Sequence, residues 1–250
     1  MKINSDINKF YEIYPNEKSS VNYANLWRYT FVNPISIFIA YLLSFFKTKP
    51  SLVTLISFII GIFGLYHLFI SNFLYGSILL NLSYLLDCVD GHLARYYNAT
   101  SKRGRFFDDF SGIIIWAFAW PCLGFGLFFN PDIEFQTFFQ DFFGVRLNSI
   151  FFVLFGLVAG FCSELRTLMS FKYSQINNNI SSESKTAKNK YKSKGLFYLL
   201  FKNIISVGGF VAPILIISSL LDMHGFLIFI YFTIYLFVFI FYSFRYYFRL

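Results

Sequence analysis

Long apolar runs separated by short polar connections make up most of the chain beyond residue 50. They cover residues 52–71, 73–97, 105–129, 147–172, 196–221 and 226–245. As a helix rising about 1.5 Å per residue, each run can cross the roughly 30 Å hydrocarbon core of a membrane. The pattern therefore predicts an all-α, polytopic membrane protein with six transmembrane helices.

A shorter apolar run, residues 35–46, precedes these six and is closed by Lys47 and Lys49. A spanning helix needs about 20 residues, so this run predicts an N-terminal interfacial helix lying along the membrane surface, with a tilted short span as the alternative. The whole chain, 1–250, is predicted to be one domain. Residues 1–49 form its cytoplasmic or interfacial segment, and residues 50–250 form its six-helix membrane core.

Composition supports a membrane location. Hydrophobic residues make up 56% of the chain and charged residues only 14%, whereas soluble domains average about 45–50% apolar residues. The cysteines lie in apolar runs without CxxC spacing, which indicates small buried side chains rather than disulfides or zinc ligands. They are Cys88, Cys122 and Cys162.

The net charge of +8 belongs to one side of the membrane. With a cytoplasmic N-terminus, every Lys and Arg except Arg146 lies at the cytoplasmic side or at its helix ends. This asymmetry predicts a multi-pass protein of the cell (inner) membrane with both termini cytoplasmic. It also accounts for the charge without nucleic-acid binding. The lysine-rich loop 173–194 either satisfies this rule or contacts anionic lipid or substrate phosphates.

Charged residues concentrate where the second run ends and the third begins. The stretch DCVDGHLAR, residues 87–95, is followed by Gly104, Asp108 and Asp109. On a helix at about 100° per residue, one arc of about 140° carries two acids, two small residues and an arginine. They are Asp87, Asp90, Gly91, Ala94 and Arg95. A basic loop with Lys102, Arg103 and Arg105 is predicted to join the two helix ends at the cytoplasmic surface.

Clustered acids at a membrane helix end need a positive partner. A single acid costs about 2.5–3.5 kcal/mol at mid-depth, and neighbouring acids also repel each other. Salt bridges with Arg95 and Arg105 are one solution, but four acids would then share few cations. Carboxylates are hard oxygen ligands, so Mg²⁺, Mn²⁺ or Ca²⁺ fits better.

Gly91 and Ala94 lie beside these acids. Small residues there let a ligand approach the backbone, although tight helix packing is the alternative explanation. A metal-bound diphosphate accounts for the acids and the small residues together.

The motif D-x2-D-G-x2-A-R-x8-G-x3-D resembles the signature of the CDP-alcohol phosphatidyltransferase family. It matches at Asp87, Asp90, Gly91, Ala94, Arg95, Gly104 and Asp108. The stretch KPSLVT, residues 49–54, also resembles the family's P-N-x-x-T start of the first span, with Ser51 in place of Asn.

The resemblance implies an enzyme that transfers a phospho-alcohol group from a CDP-alcohol to an acceptor hydroxyl and releases CMP, in phospholipid or related lipid biosynthesis. It implies Mg²⁺ or Mn²⁺ held by Asp87, Asp90 and Asp108. The expected partners are the CDP-alcohol donor, a hydroxyl acceptor, membrane lipid and a second copy in a homodimer. The expected nucleotide-binding residues are Gly91, Ala94, Arg95, Gly104 and Arg105.

The chain departs from the family pattern at its last Asp, which is held to be the general base and falls on Gly112 here. Asp109 is the predicted stand-in, with Asp108 beside it. On a helix Asp109 lies about 60° and roughly 4.5 Å from position 112. The alternative for Asp109 is an acid that complements the helix dipole. His92 is a weaker candidate, pointing about 140° from Asp87.

Two further residues and two rival functions complete the sequence hypotheses. Glu164 and Arg166 are predicted either to pair or to line the acceptor pocket.

Because of Gly112, a catalytically impaired relative that binds CDP-alcohols without turnover is one rival. A cation transporter is the other. Transporter sites usually lie near the midplane between repeated halves, whereas these acids lie at a helix end and the sequence shows no repeat.

Cysteine labelling tests the orientation. In a cysteine-free background, Glu134→Cys should react with an impermeant reagent in intact cells, because the 132–141 connection is predicted to be external. Ser182→Cys, in the lysine-rich loop, should react only after the membrane is opened. Labelling of Ser182→Cys in intact cells would contradict the predicted topology.

Overall fold

The computed structural model describes residues 25–99, 101–180 and 196–248. This described part is helical and contains no strand, which confirms the all-α prediction. Wide π-helical turns at Arg28–Val32 and Val207–Val211 precede α1 and α8. The helices are α1 (Asn33–Phe45), α2 (Pro50–Phe69), α3 (Phe73–Tyr96), α4 (Lys102–Phe129), α5 (Ile133–Phe143), α6 (Ile150–Ile180), α7 (Leu196–Ile205), α8 (Ala212–Leu220) and α9 (His224–Tyr247).

Five of the described helices are long and apolar enough to cross a membrane: α2, α3, α4, α6 as far as Ser170, and α9. A sixth crossing results if the bent pair α7 and α8 counts as one span. The 13-residue α1 is too short to count among them. The prediction of a polytopic membrane protein is therefore confirmed.

The predicted run 196–221 contains a break, with a bend of 71° between its two halves. Ser206 is extended (φ −106°, ψ 142°) and Gly209 is non-helical (φ −89°, ψ −107°). A Cβ at Gly209 would collide with the backbone of Asn203. Glycine is therefore required where the chain folds back on the end of α7.

Three connections differ from the sequence predictions. Ser101 caps α4 by accepting a hydrogen bond from the Gly104 N–H at 2.9 Å, so the predicted basic loop is the first turn of that helix. The predicted outer connection contains α5, which begins after its cap Asp132. The start of the predicted 173–194 loop continues α6 to residue 180, and the rest lies outside the described residues.

The described contacts divide into two compact units. The first comprises the described parts of Met1–Gly64, Tyr75–Ile115 and Lys194–Ile216. The second comprises those of Leu65–Leu74, Trp116–Ser193 and Ile217–Leu250. The acidic motif lies within the first unit, and the assignment of the whole chain to one domain stays a prediction.

Two serines join α2 to α3 by hydrogen bonds in the first unit. The Ser57 hydroxyl donates to the Ser83 carbonyl at 3.1 Å, and the Ser83 hydroxyl donates to the Ser57 carbonyl at 2.8 Å. Helix α1 packs on the same pair of helices through an apolar cluster, whose buried members are Ile37, Ala40, Tyr41, Val53, Val89 and Leu93. The N-terminal helix is thereby fixed to α3, which carries Asp87 and Asp90.

Glycines bring α4 and α6 into backbone contact in the second unit. A Cβ at Gly124 would collide with the Phe152 carbonyl, and a Cβ at Gly156 would collide with the Trp120 carbonyl. At these contacts residue numbers increase along one helix as they decrease along the other, so α4 and α6 run antiparallel. Small residues allow this close approach, as is typical of membrane helix pairs.

Gly156→Val should therefore destabilise the protein, because its side chain must push the Trp120 backbone away. Overpacking of this kind costs roughly 1–3 kcal/mol. The measurement is thermal unfolding of the detergent-purified protein. Gly112→Ala is the matched control, since a Cβ there meets nothing within 4 Å. Equal melting temperatures for the two variants would show that the glycine contact does not hold α4 against α6.

Candidate active site

Three carboxyl groups converge within the first unit. Asp87 and Asp90 lie near the end of α3, and Asp108 lies in the second turn of α4. One oxygen of each lies within 4.8 Å of the others. The short connection between the two helices brings these acids together, and they are the three that the sequence assigned to a metal.

The chemistry of this cluster fits a divalent cation. Asp90 is 4% exposed, and its Oδ2 is buried without a hydrogen-bond partner. A buried carboxylate oxygen without a partner is costly, and the neighbouring carboxyl groups repel it when they are ionised. A hard cation would satisfy that oxygen and offset the repulsion, and oxygen ligands are what Mg²⁺ and Mn²⁺ prefer.

Thr54 connects the start of α2 to this cluster. Its buried side chain hydrogen-bonds the Asp90 carboxylate, and its hydroxyl also lies 3.2 Å from the Pro50 carbonyl. A hydroxyl has one hydrogen to donate, so it donates to only one of these acceptors at a time. The KPSLVT stretch thus contributes a residue that orients one of the three acids.

A cavity of about 740 Å³, called the first cavity here, opens beside Asp90 and Asp108. It is large enough for a nucleotide ligand, since ligand sites are typically about 300–1,000 Å³. Cationic side chains in its lining favour an anionic ligand. The lining includes all five residues predicted to bind the nucleotide, namely Gly91, Ala94, Arg95, Gly104 and Arg105, together with Lys49, Pro50, Ser51, Thr54, Asp90, Ala99, Ser101, Arg103, Phe107 and Asp108.

A second cavity of about 370 Å³ adjoins the same acids. Its lining is mostly polar and combines acids with two arginines. The residues are Arg28, Asp87, Cys88, Gly91, Arg95, Asp108, Asp109, Gly112 and Ile113. Because Gly91, Arg95 and Asp108 line both cavities, the acidic cluster lies where the two cavities meet.

Gly91 opens onto both cavities. The nearest atoms that a Cβ there would meet belong to the Arg95 guanidinium, at 3.5 Å and beyond. Tight packing against a neighbouring helix therefore does not require this glycine, and access for a ligand explains it better.

The candidate bases differ in placement. Asp109 is exposed and lines the second cavity together with Gly112. His92 is buried, its Nδ1 lies 3.1 Å from Arg95 Nη2, and it lines neither cavity. Glu164 and Arg166 lie on α6 in the second unit and also line neither cavity. Of these candidates, Asp109 is the one that lines the same cavity as Asp87 and Asp108.

Arg28 is the site residue that the sequence analysis missed. It was counted only as a cytoplasmic charge, yet it lines the second cavity beside Asp87. The polar segment around it carries no spacing or motif that links it to α3. Its placement depends on long-range packing, which local sequence patterns do not encode.

A model of the CDP-alcohol phosphatidyltransferase family matches residues 47–239. The chain belongs to this family. Membership implies transfer of a phospho-alcohol group, with a CDP-alcohol and an alcohol acceptor as substrates. Comparison with curated proteins gave no match. The matched region contains both helices of the acidic cluster, whereas Arg28 and α1 lie before it.

Proposed function

We propose that the protein is a metal-dependent CDP-alcohol phosphotransferase of the phosphatidyltransferase type, which releases CMP in phospholipid or related lipid biosynthesis. The observation that carries this proposal is the meeting of two cavities at Asp87, Asp90 and Asp108. The enzyme acts in the cell (inner) membrane, with its active site facing the cytoplasm, and assembles as a homodimer.

Asp87, Asp90 and Asp108 are the proposed ligands of Mg²⁺ or Mn²⁺, supported by their proximity and by the unpartnered Asp90 oxygen. These three carboxylates would hold the cation, which would supply neutralisation of the diphosphate charge and make CMP a better leaving group. Thr54 fixes the Asp90 carboxylate through its hydrogen bond.

The first cavity binds the CDP-alcohol. Gly91 and Ala94 let the nucleotide lie against α3, and the basic side chains of Arg95, Arg103 and Arg105 face its phosphates. Gly104 leaves room at the first turn of α4. Together these residues hold the diphosphate beside the acids and orient it for attack.

Asp109 is the proposed general base. The acceptor oxygen attacks the phosphorus that carries the donor alcohol, and the bond from this phosphorus to the CMP oxygen breaks. The acceptor proton passes to the Asp109 carboxylate, and CMP leaves with the electron pair of the broken bond. Exposure of Asp109 to the second cavity, next to Asp108, supports this role.

Gly112 favours one alternative, a relative that binds CDP-alcohols without turnover. Position 112 has no carboxyl group, and Asp109 lies one turn earlier on α4. Family membership argues against the cation transporter.

Substitution of the acids tests the metal. Asp87→Asn, Asp90→Asn and Asp108→Asn should each weaken Mn²⁺ binding and CMP release by roughly 100-fold or more, because even outer-shell changes cost about 10–100-fold. Electron paramagnetic resonance of Mn²⁺ and a CMP-release assay measure the two effects. Asp141→Asn, an exposed acid on α5, is the control. Wild-type Mn²⁺ affinity in any of the three variants would remove that residue from the ligand set.

Substitution of Asp109 tests the base. A positioned general base contributes about 10²–10⁴-fold, so Asp109→Asn should slow CMP release by that factor while binding of Mn²⁺ and CDP-alcohol stays near wild type. Gly112→Asp should give no gain, because it adds another negative charge beside the acids.

The impaired alternative predicts a different pattern in the same assays. The wild type would then bind CDP-alcohol without releasing CMP, Gly112→Asp would raise CMP release, and Asp109→Asn would change nothing. Turnover by the wild type that is indifferent to Asp109→Asn would contradict the assignment of Asp109.

A further inference from the structure

Helix α5 divides its side chains between two faces. At about 100° per residue, its five phenylalanines fall within one arc of about 140°. They are Phe135, Phe138, Phe139, Phe142 and Phe143. The remaining arc is polar apart from Ile133. It carries Glu134, Gln136, Thr137, Gln140 and Asp141. The helix is therefore amphipathic.

Only the start of this phenylalanine face packs fully against other helices. Phe135 is 1% exposed, and its ring centroid lies 5.0 Å from that of Phe226 on α9. The exposed fraction rises to 47% at Phe138, 71% at Phe142 and 50% at Phe143. Within the part of the chain that the structure describes, the face is therefore uncovered towards the end of α5.

Polar contacts join α5 to the first residues of two spanning helices. Asp132 Oδ1 accepts a hydrogen bond from the Phe135 N–H at 2.9 Å, and its Oδ2 accepts one from the Gly225 N–H at 2.8 Å. One carboxylate thus caps α5 and joins it to the first turn of α9. Gln136 Nε2 donates to Ser149 Oγ at 3.4 Å, immediately before α6 begins.

These contacts place α5 at a boundary of the membrane. Helix α4 ends at Phe129, α6 begins at Ile150 and α9 begins at His224, and all three are long and apolar enough to span. A helix that is bonded to the starts of two spans lies at the level where those spans leave the hydrocarbon core. The 11 residues of α5 extend about 16 Å, roughly half of a core about 30 Å thick, so this helix does not cross.

The uncovered rings lie near a surface that faces lipid. On α6, exposed apolar side chains recur every three or four residues, a spacing that places them on one face of the helix. They are Ile150, Leu154, Leu157 and Phe161. In a spanning helix an exposed apolar stripe contacts acyl chains. The stripe begins next to Ser149, which bonds α5, so α5 adjoins the lipid-facing surface where this surface reaches the membrane boundary.

The charge on α5 distinguishes between classes of lipid. Its polar face carries Glu134 and Asp141, and residues 133–143 include no Lys or Arg. Basic interfacial helices are attracted by anionic headgroups, whereas these two carboxylates are repelled by them. Contact between the phenyl rings and the acyl chains must therefore provide the attraction, and zwitterionic lipid suits this helix better than anionic lipid.

We propose that α5 is an interfacial anchor that lies along the membrane surface, with Phe138, Phe142 and Phe143 inserted among the acyl chains of zwitterionic lipid. Its polar face meets water. Through the two hydrogen bonds of Asp132, the anchor holds the start of α9 at a fixed depth. The proposal does not depend on the proposed transferase function.

Site-directed spin labelling tests this placement. Single cysteines along α5, in the cysteine-free full-length protein, are labelled and reconstituted into phosphatidylcholine vesicles. Electron paramagnetic resonance then compares relaxation by oxygen, which concentrates in lipid, with relaxation by a nickel chelate, which stays in water. Labels at Phe138→Cys and Phe142→Cys should respond more to oxygen, and labels at the neighbouring Thr137→Cys and Asp141→Cys should respond more to nickel. All four side chains are exposed, so these substitutions leave the packed core unchanged.

The pattern along the helix decides between lipid and other surroundings. The oxygen-to-nickel ratio should rise and fall with a period of about 3.6 residues, and adding phosphatidylglycerol to the vesicles should not increase it at Phe142→Cys. Higher nickel accessibility at both phenylalanine positions would place this face in water. Protection of both positions from oxygen and nickel, with dipolar coupling between labels, would show that a second copy covers the face. Either result would overturn the proposal, and a ratio that increases with phosphatidylglycerol would overturn the assignment to zwitterionic lipid.

Discussion

Repulsion among three carboxyl groups is the constraint on which the first unit depends. The oxygens of Asp87, Asp90 and Asp108 lie within 4.8 Å of one another. At that separation two unit charges repel by roughly 3–4 kcal/mol at an effective dielectric constant of about 20. Hydrogen bonds between membrane helices average only about 0.6 kcal/mol. The Ser57–Ser83 pair therefore sets the position of α2 against α3 but cannot offset the repulsion, which is the role of the cation proposed for the acids themselves.

Both units use hydroxyl–carbonyl hydrogen bonds and close glycine contacts between helices, and the first unit also orients an acid. In the first unit, hydroxyl–carbonyl pairs and Thr54 fix the register of helices that carry polar groups. In the second unit, Gly124 and Gly156 bring two backbones together without any polar side chain. Backbone contact of this kind stabilises a helix pair through dispersion, but it does not fix the position of an acidic side chain. The proposed active site lies in the first unit, where the Thr54 hydroxyl orients Asp90.

The sequence predicted features that depend on neighbouring positions and missed those that depend on distant ones. Asp87, Asp90 and Asp108 lie on consecutive helices with a short connection, so helical geometry alone brings them together. The break at Ser206–Gly209 leaves the apolar run uninterrupted in hydropathy, so the sequence did not reveal the bend. Asp132 is a typical N-cap residue and caps helix α5, but the sequence analysis assigned that stretch to an outer loop and did not predict the helix. Arg28 reaches its site through Tyr84, which no local pattern relates to it.

Gly112 has two opposing physical consequences in the second cavity, and their magnitudes are comparable. A carboxylate at that position would supply a general base, worth about 10²–10⁴-fold. It would also add a fourth negative charge to the lining of the second cavity, where two unit charges about 5 Å apart repel by roughly 3 kcal/mol at an effective dielectric constant of about 20. The base proposed one turn earlier, at Asp109, would keep much of the first benefit while position 112 stays neutral. Glycine at position 112 therefore exchanges a carboxylate base for a smaller repulsion among the acids of the second cavity, so the missing carboxyl group does not by itself imply a loss of activity.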